Sequence, residues 1–252
     1  MRFMLYNVRY CTGTGSRFHF PFPLVSGYLK PTGAQLGRIT DFICEQHPDI
    51  VGLIEVDAGS YRTGRHNNQA EHIATALGHY HVDAVKYGVN SLARNVPVLR
   101  KQSNAFLSSD VIKDKRFHYV EHGVKRLVME LELEQLTVFL VHLSIKYRHR
   151  HYQLGDLYEL VKTVKKPQIV AGDFNFLWGD AEIDLFLAAT GLHSANVAGR
   201  PSYPSRAPKR QLDFILHSPE IRVTDFAMPQ VNFSDHLPLI CDFEIEPGES
   251  EE

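Results

Sequence analysis

The sequence predicts an α/β protein: a mixed sheet, or a pair of sheets, with helices on the outside. Three observations carry this. Uninterrupted apolar runs such as Ile50-Val51-Gly52-Leu53-Ile54 and Ile169-Val170-Ala171 read as strands covered on both faces. Between several of these runs lie stretches with helical spacing, as at Leu36, Ile39 and Ile43. Other strand-like segments follow one another with no helix between them, so the sheet is not a simple parallel alternation.

Taken in order, Arg2 to Val8 reads as a strand with Asn7 near its end. Residues 11–33 are rich in Gly, Pro and aromatics (Phe18, Phe20, Phe22, Leu24, Tyr28), too apolar for a simple linker, and are expected to pack as a long loop. A helix over Leu36 to Glu45 is closed by Pro48, and a strand over Asp49 to Val56 delivers Glu55 at its far end. A polar stretch from Gly59 to Asn68 leads into a helix over Ala70 to Leu77. Strands are expected at His79 to Val85, Gln102 to Ser108, Tyr119 to Glu121, Lys125 to Glu134 and Leu136 to Ser144, the last two forming a hairpin across Glu134-Gln135. His142 ends the last of them.

The run Tyr147-Arg148-His149-Arg150-His151-Tyr152 opens a helix to about Val164 and reads as a solvated face rather than a metal or nucleic-acid site. Next come the strand into Gly172-Asp173-Phe174-Asn175-Phe176, a helix near Ala181 to Thr190, and a loop rich in Pro, Ser and Arg from Gly199 to Arg210. Strands at Gln211 to Leu216, Val223 to Met228 and Leu239 to Phe243 complete the pattern, with Ser234-Asp235-His236 between the last two. No linker divides the chain, so residues 1–245 read as one domain and 246–252 as an acidic, disordered tail.

The 252 residues are 44% hydrophobic and 22% charged, ordinary for a soluble globular protein. A formal charge of −2 gives no global pull toward nucleic acid or an anionic membrane, although a local basic groove is compatible with it. Cys11, Cys44 and Cys241 are odd in number and far apart, which points to a reducing compartment and makes the cytoplasm the expected location. The apolar run at Met1 to Asn7 is too short for a signal peptide, and no stretch has the length of a membrane span. No protein partner is evident.

The chemistry gathers at strand ends. Asn7, Glu55, His142, Asp173 with Asn175, Asp213, and Asp235-His236 each sit at or beside the end of a strand-like segment. Any one of them is more often a surface or structural residue, and Asp173 with Asn175 could simply form a turn. Together they match how active sites are built, from loops at one end of a rigid sheet. In a strand-like backbone Asp173 and Asn175 would share one face, with Phe174 and Phe176 turned into the core.

The series Tyr6-Asn7-Val8, Leu53-Ile54-Glu55-Val56, Val141-His142-Leu143-Ser144, Gly172-Asp173-Phe174-Asn175, Leu212-Asp213-Phe214-Ile215 and Ser234-Asp235-His236-Leu237-Pro238 resembles the endonuclease/exonuclease/phosphatase superfamily, the deoxyribonuclease I-like fold. The resemblance implies a four-layer sandwich of two mixed β-sheets packed face to face with helices outside. It also implies metal-dependent cleavage of phosphate esters. Ile54 stands where the exonuclease III branch usually has Gln, which weakens an abasic-endonuclease reading, and no cysteine pair matches the loop disulfide of secreted deoxyribonuclease I. Arg200-Pro201-Ser202-Tyr203-Pro204 resembles a pattern common in poorly characterised bacterial members.

The residues support such chemistry in their own right. Mg²⁺ or Mn²⁺ is the expected cofactor, since Mg²⁺ keeps several waters and takes one or two carboxylates with substrate phosphate. Glu55 with Asn7 fits a sparse site of this kind, and the resemblance adds Asp235. In-line attack by water needs an orienting group or base. Asp173 is one candidate and His236 supported by Asp213 the other; the two alternatives stand side by side. Asn175 would donate to the phosphate, and His142 would stabilise the pentacovalent state or protonate the leaving group. Arg62, Arg65, Asn68, Arg206, Lys209 and Arg210 are the candidates for substrate contact, because arginine suits bidentate phosphate recognition. The expected partner is a phosphate-ester substrate. A phosphodiesterase or phosphatase on a small or lipid-linked substrate comes first, a nuclease second, and a non-catalytic binding module on the same fold third.

Overall fold

The computed structural model describes residues 1–14, 32–64, 67–87, 99–123, 127–177, 179 and 181–246. The first four strands are β1 (Arg2–Asn7), β2 (Ile50–Asp57), β3 (Tyr80–Val85) and β4 (Gln102–Ser108). The next four are β5 (Asp114–Tyr119), β6 (Leu127–Glu132), β7 (Thr137–His142) and β8 (Gln168–Asp173). The last are β9 (His193–Ser194), β10 (Asp213–His217), β11 (Ile221–Ala227) and β12 (Leu239–Ile245). Four helices accompany them: α1 (Gly33–Glu45), α2 (Gln69–Leu77), α3 (Tyr147–Val161) and α4 (Ala181–Thr190).

The strands form two six-stranded sheets, β11-β12-β1-β2-β4-β3 and β5-β6-β7-β8-β10-β9. Each is antiparallel except for one central parallel pair, β1 with β2 in the first and β7 with β8 in the second. These pairs are apolar on both faces because both faces are covered. Phe3, Leu5, Ile50 and Ile54 of the first sheet meet Val138, Leu140, Ile169, Ala171 and Ile215 of the second in the central core. The alternate residues Met4, Tyr6, Val51 and Leu53 face Ile39, Ile43 and Ile73 of α1 and α2. On the other side Phe139, Val141, Val170 and Phe214 face Leu157, Ile183 and Phe186 of α3 and α4. The result is the expected four-layer α/β sandwich of two mixed sheets.

Several sequence expectations shift. The strand expected over Tyr119 to Glu121 lies at Asp114–Tyr119 instead, on an exposed sheet edge. Its polar sequence hides it from hydrophobic patterning. The ladder to β6 and the Arg116–Glu130 and His118–Glu130 pairs, each 2.6 Å, hold it in place. The two-residue β9 was missed because it is too short to leave a pattern. The basic run at the start of α3 is solvated at Tyr147, Arg148, His151 and Tyr152, but Arg150 is fully buried. The aromatic 18–28 segment, Arg65 and the acidic tail past Glu246 lie outside the described residues. Among the described residues, no helix is long and apolar enough to cross a membrane.

Candidate active site

The topology brings the polar strand ends to one mouth. In a parallel pair both strands finish at the same end, so Asn7 stands next to Ile54, and His142 pairs with Asp173. β10 runs antiparallel to β8, so its first residue, Asp213, pairs with Asp173. β12 runs antiparallel to β1, with Leu239 opposite Leu5, which places the preceding Asp235-His236 at the same end. Parity does the rest. Leu5, Leu140, Ala171 and Ile215 lie in the central core, so the positions two away along each strand (Asn7, His142, Asp173 and Asp213) continue that face and cap the core between the sheets.

Glu55 reaches the mouth by a different device. The pairing of β2 with β4 slips between Leu53 and Val56, a bulge with one extra residue. Glu55 takes a left-handed backbone (φ 61°), which breaks the alternation and leaves its side chain at the mouth while Val56 returns to the outer core. Asn175 is also left-handed (φ 56°). The expected strand-like face shared by Asp173 and Asn175 is therefore corrected: β8 ends at Asp173, and the Asn175 N–H folds back onto Asp173 Oδ1 at 3.0 Å. Phe174 and Phe176 do enter the outer core, as expected.

Asp173 is the hub. Its Oδ2 accepts from Asn7 Nδ2 at 3.1 Å, lies 3.4 Å from His142 Nε2, and lies 4.0 Å from His236 Nε2. His236 Nδ1 donates to Asp213 Oδ2 at 2.7 Å, and Ser202 Oγ donates to the same oxygen at 2.6 Å. Burial alone would lower the His236 pKa, but the charge of Asp213, its hydrogen bond, and then Asp173 and Asp235 outweigh it and push the imidazole up to about 10. Tyr203 tilts over the imidazole at 4.9 Å. On the far side His142 Nε2 is 3.7 Å from Glu55 Oε1, and Lys86 Nζ lies 3.1 Å from His142 Nδ1. Asp235 Oδ2 faces Arg9 Nε at 3.3 Å.

The sequence candidates for substrate contact fare differently. Arg62 does not face the mouth: its side chain is buried and binds Asp57 through Nε (2.9 Å) and Nη2 (2.6 Å), so that expectation is corrected. Asn68 caps α2 through its Oδ1 to Ala70 N, 2.9 Å, and donates to Asp83 at 2.8 Å. Arg206, Lys209 and Arg210 are exposed on the loop that carries Ser202 and Tyr203, and Arg210 donates to the Leu177 carbonyl just past Asn175. Four residues went unmarked in the sequence: Arg9, Lys86, Arg150 and Ser202. Arg9 and Lys86 sit just past β1 and β3, so the strand-end rule that found Asn7 reaches them too. Arg150 lies inside a run that looked solvated throughout.

The mouth suits a divalent cation. Glu55, Asp173, Asp213 and Asp235 set four carboxylates against three cations, Lys86, Arg9 and protonated His236. Asp213 Oδ1 is buried with no hydrogen-bond partner among the described residues. Hard oxygen donors with surplus negative charge suit a hard divalent cation better than a soft one. The described His, Cys, Asp and Glu groups that converge within 4.8 Å are Asp173, Asp213 and His236. His236 Nδ1 and Asp213 Oδ2 are already hydrogen-bonded to each other at 2.7 Å, whereas Asp173 Oδ2 stands 4.0 Å from His236 Nε2. Glu55, Asn7 and Asp235 supply the other side-chain oxygens of the mouth, with Asn7 Oδ1 accepting from Arg9 N at 3.1 Å.

A two-sheet α/β sandwich with a histidine–carboxylate mouth at the ends of its parallel strands defines the class. The chain belongs to the endonuclease/exonuclease/phosphatase family, whose sequence model matches residues 4–236. Members of that family hydrolyse phosphate esters and typically depend on a divalent metal. UPF0294 protein plu0699 of Photorhabdus laumondii is 26% identical over 153 residues, which is 60% of this chain and 52% of that protein. The chain thus spans about half the length of that curated relative. The endonuclease/exonuclease/phosphatase of Beutenbergia cavernae shares the fold with a TM-score of 0.71 at 18% identity, over 98% of this chain and 72% of that one. The mannosyl-6-phosphatase Bt3783 of Bacteroides thetaiotaomicron does so with a TM-score of 0.70 at 16% identity, over 97% and 100%.

Proposed function

We propose that the chain is a Mg²⁺- or Mn²⁺-dependent phosphodiesterase that hydrolyses its ester by in-line attack of water. The observation that carries the reading is the single mouth where His236–Asp213 and Asp173 from the second sheet meet Asn7 and Glu55 from the first. Glu55, Asn7 and Asp235 would hold the metal, which supplies neutralisation of charge developing on the phosphoryl oxygens. Asp173, ringed by donors, is assigned to the attacking water. The carboxylates of Asp213 and Asp173 favour the protonated imidazole of His236, which, oriented by Asp213, is assigned to the phosphoryl oxygens. Asn175 keeps one amide N–H on the Leu143 carbonyl at 3.1 Å, leaving the other for phosphate. Water oxygen bonds to phosphorus as its proton passes to Asp173, the ester P–O bond breaks, and the leaving oxygen takes a proton from solvent, so the products are an alcohol and a phosphomonoester.

Arg206, Lys209 and Arg210, exposed on the loop that carries Ser202 and Tyr203, are proposed to receive the rest of the substrate. The test is a panel of bis-p-nitrophenyl phosphate, p-nitrophenyl phosphate, inositol phosphates, sphingomyelin, RNA and plasmid DNA, each with Mg²⁺, Mn²⁺ or chelator. Metal-dependent cleavage of a diester with a shallow salt response supports the reading. Preference for nucleic acid with a steep salt response would instead make it a nuclease. No cleavage of any member would overturn it.

A further inference from the structure

The two histidines of the mouth face partners of opposite charge. His236 presents Nδ1 to the Asp213 carboxylate, whereas His142 presents Nδ1 to the Lys86 ammonium. An ammonium has three donors and no lone pair, so His142 Nδ1 must accept. The other ring nitrogen agrees. Nε2 faces the carboxylates of Asp173 (Oδ2, 3.4 Å) and Glu55 (Oε1, 3.7 Å), whose charge favours a proton there. The Lys86 contact therefore requires, and the carboxylates favour, the Nε2–H tautomer. Doubly protonated, the ring would aim a second N–H at the ammonium.

Lys86 is well placed to impose this. It is 1% exposed and immediately follows β3, where its N–H extends the ladder to Gln102 O at 3.0 Å. Its Nζ donates to Tyr10 Oη at 3.0 Å, lies 3.1 Å from His142 Nδ1, and pairs with Glu55 Oε1 at 3.7 Å. Buried among these groups, the ammonium acts through His142.

We propose that Lys86 is a positioning residue that fixes His142 as an Nε2–H donor, so that His142 hydrogen-bonds the phosphoryl group and does not deliver a proton to the leaving oxygen. This rests on the phosphodiesterase reading of the mouth. The division of labour follows from the partners: Asp213 orients His236 by accepting from Nδ1, and Lys86 orients His142 by donating to Nδ1.

The experiment has two arms. In the first, ¹⁵N-histidine NMR of the metal-free protein reads the His142 tautomer. The expected pattern is a pyridine-like Nδ1 with a protonated Nε2 in the wild type, and mixed tautomers in Lys86→Met. A protonated Nδ1 in the wild type overturns the proposal, whatever the enzyme does. In the second, Lys86→Met is expected to lower kcat on bis-p-nitrophenyl phosphate about 10- to 100-fold with little change in KM, the usual effect of losing a supporting partner, and Lys86→Arg to recover most of it. His142→Gln, which keeps an N–H donor, should retain far more activity than His142→Ala. Equal loss in those two variants, or unchanged kcat in Lys86→Met, overturns the proposal. If Lys86→Met fails to fold, Lys86→Arg and the His142 pair still decide. Failure of the whole substrate panel would sink the phosphodiesterase reading while the NMR arm still reports on Lys86.

Discussion

A Cβ added to Gly172 would stand 1.9 Å from the carbonyl oxygen of Val141, on the neighbouring parallel strand. The clash is with backbone, at φ 154°, so no rotamer relieves it. Gly172 immediately precedes Asp173 and holds β8 close against β7, which sets the spacing of Asp173 and His142. Gly172→Ala is expected to destabilise the fold by about 3 kcal/mol or more. Urea unfolding measures this, and a loss below 1 kcal/mol would mean that the strands separate more easily than their packing implies.

The roles assigned at the mouth predict losses of activity without loss of the fold. His236→Ala or Asp173→Asn should lower the rate by about 10²- to 10⁴-fold while circular dichroism stays native. Full activity of either variant on a confirmed substrate would remove that residue from the mechanism.

Much of this was legible in the sequence because it follows from alternation. An apolar run buried on both faces names its strand, and the polar residue at its end names a position on the mouth. Asn7, His142, Asp173 and Asp213 were all found this way. Glu55 was found too, but its route was not legible, since only tertiary packing decides that β2 bulges there. Arg62 was misjudged because a glycine-flanked arginine reads as exposed, and nothing local shows that Asp57 buries it. Lys86 and Arg150 were missed for the converse reason. Long cationic side chains look solvated unless their partners, distant in sequence, are known.

Arg150 is the most consequential of these. Its Nη1 donates to the carbonyls of Ser144 (3.1 Å), Ile145 (2.8 Å) and Asn175 (3.0 Å), and its Nε and Nη2 bind Glu182. It therefore ties α3 and α4 to the loop that carries Asn175. Arg150→Met strands a partly buried carboxylate and three carbonyls, and should cost about 3 kcal/mol. The exposed neighbour change Arg148→Met should stay within about 0.5 kcal/mol. Comparable losses in the two variants, measured by chemical denaturation, would contradict the buried clamp.

The thiols offer a check on the core that is independent of the site. Cys11 and Cys241 are buried, and burial pushes both thiols up, Cys241 to about 12. The thiolate is the reactive form, so both should resist alkylation at pH 8 in the native protein. Cys44, partly exposed, should label first. Mass spectrometry after iodoacetamide treatment reads this directly, and early labelling of Cys241 would show that β12 opens.

The imidazole of His236 also links stability to pH, with a definite sign. Its folded-state pKa is pushed up to about 10 from the usual 6.5, chiefly because Asp213, by charge and hydrogen bond, outweighs the burial that would lower it. Between those two values the native state binds a proton that the unfolded state has released. Its contribution is therefore fully present below pH 6.5 and is lost as pH rises toward 10. The slope from one group is at most about 1.4 kcal/mol per pH unit. Metal-free wild type, unfolded by urea at a series of pH values from 7 to 10, should lose stability faster than His236→Gln, which has no proton to release. Parallel curves for the two proteins would mean that Asp213 does not hold the proton on His236.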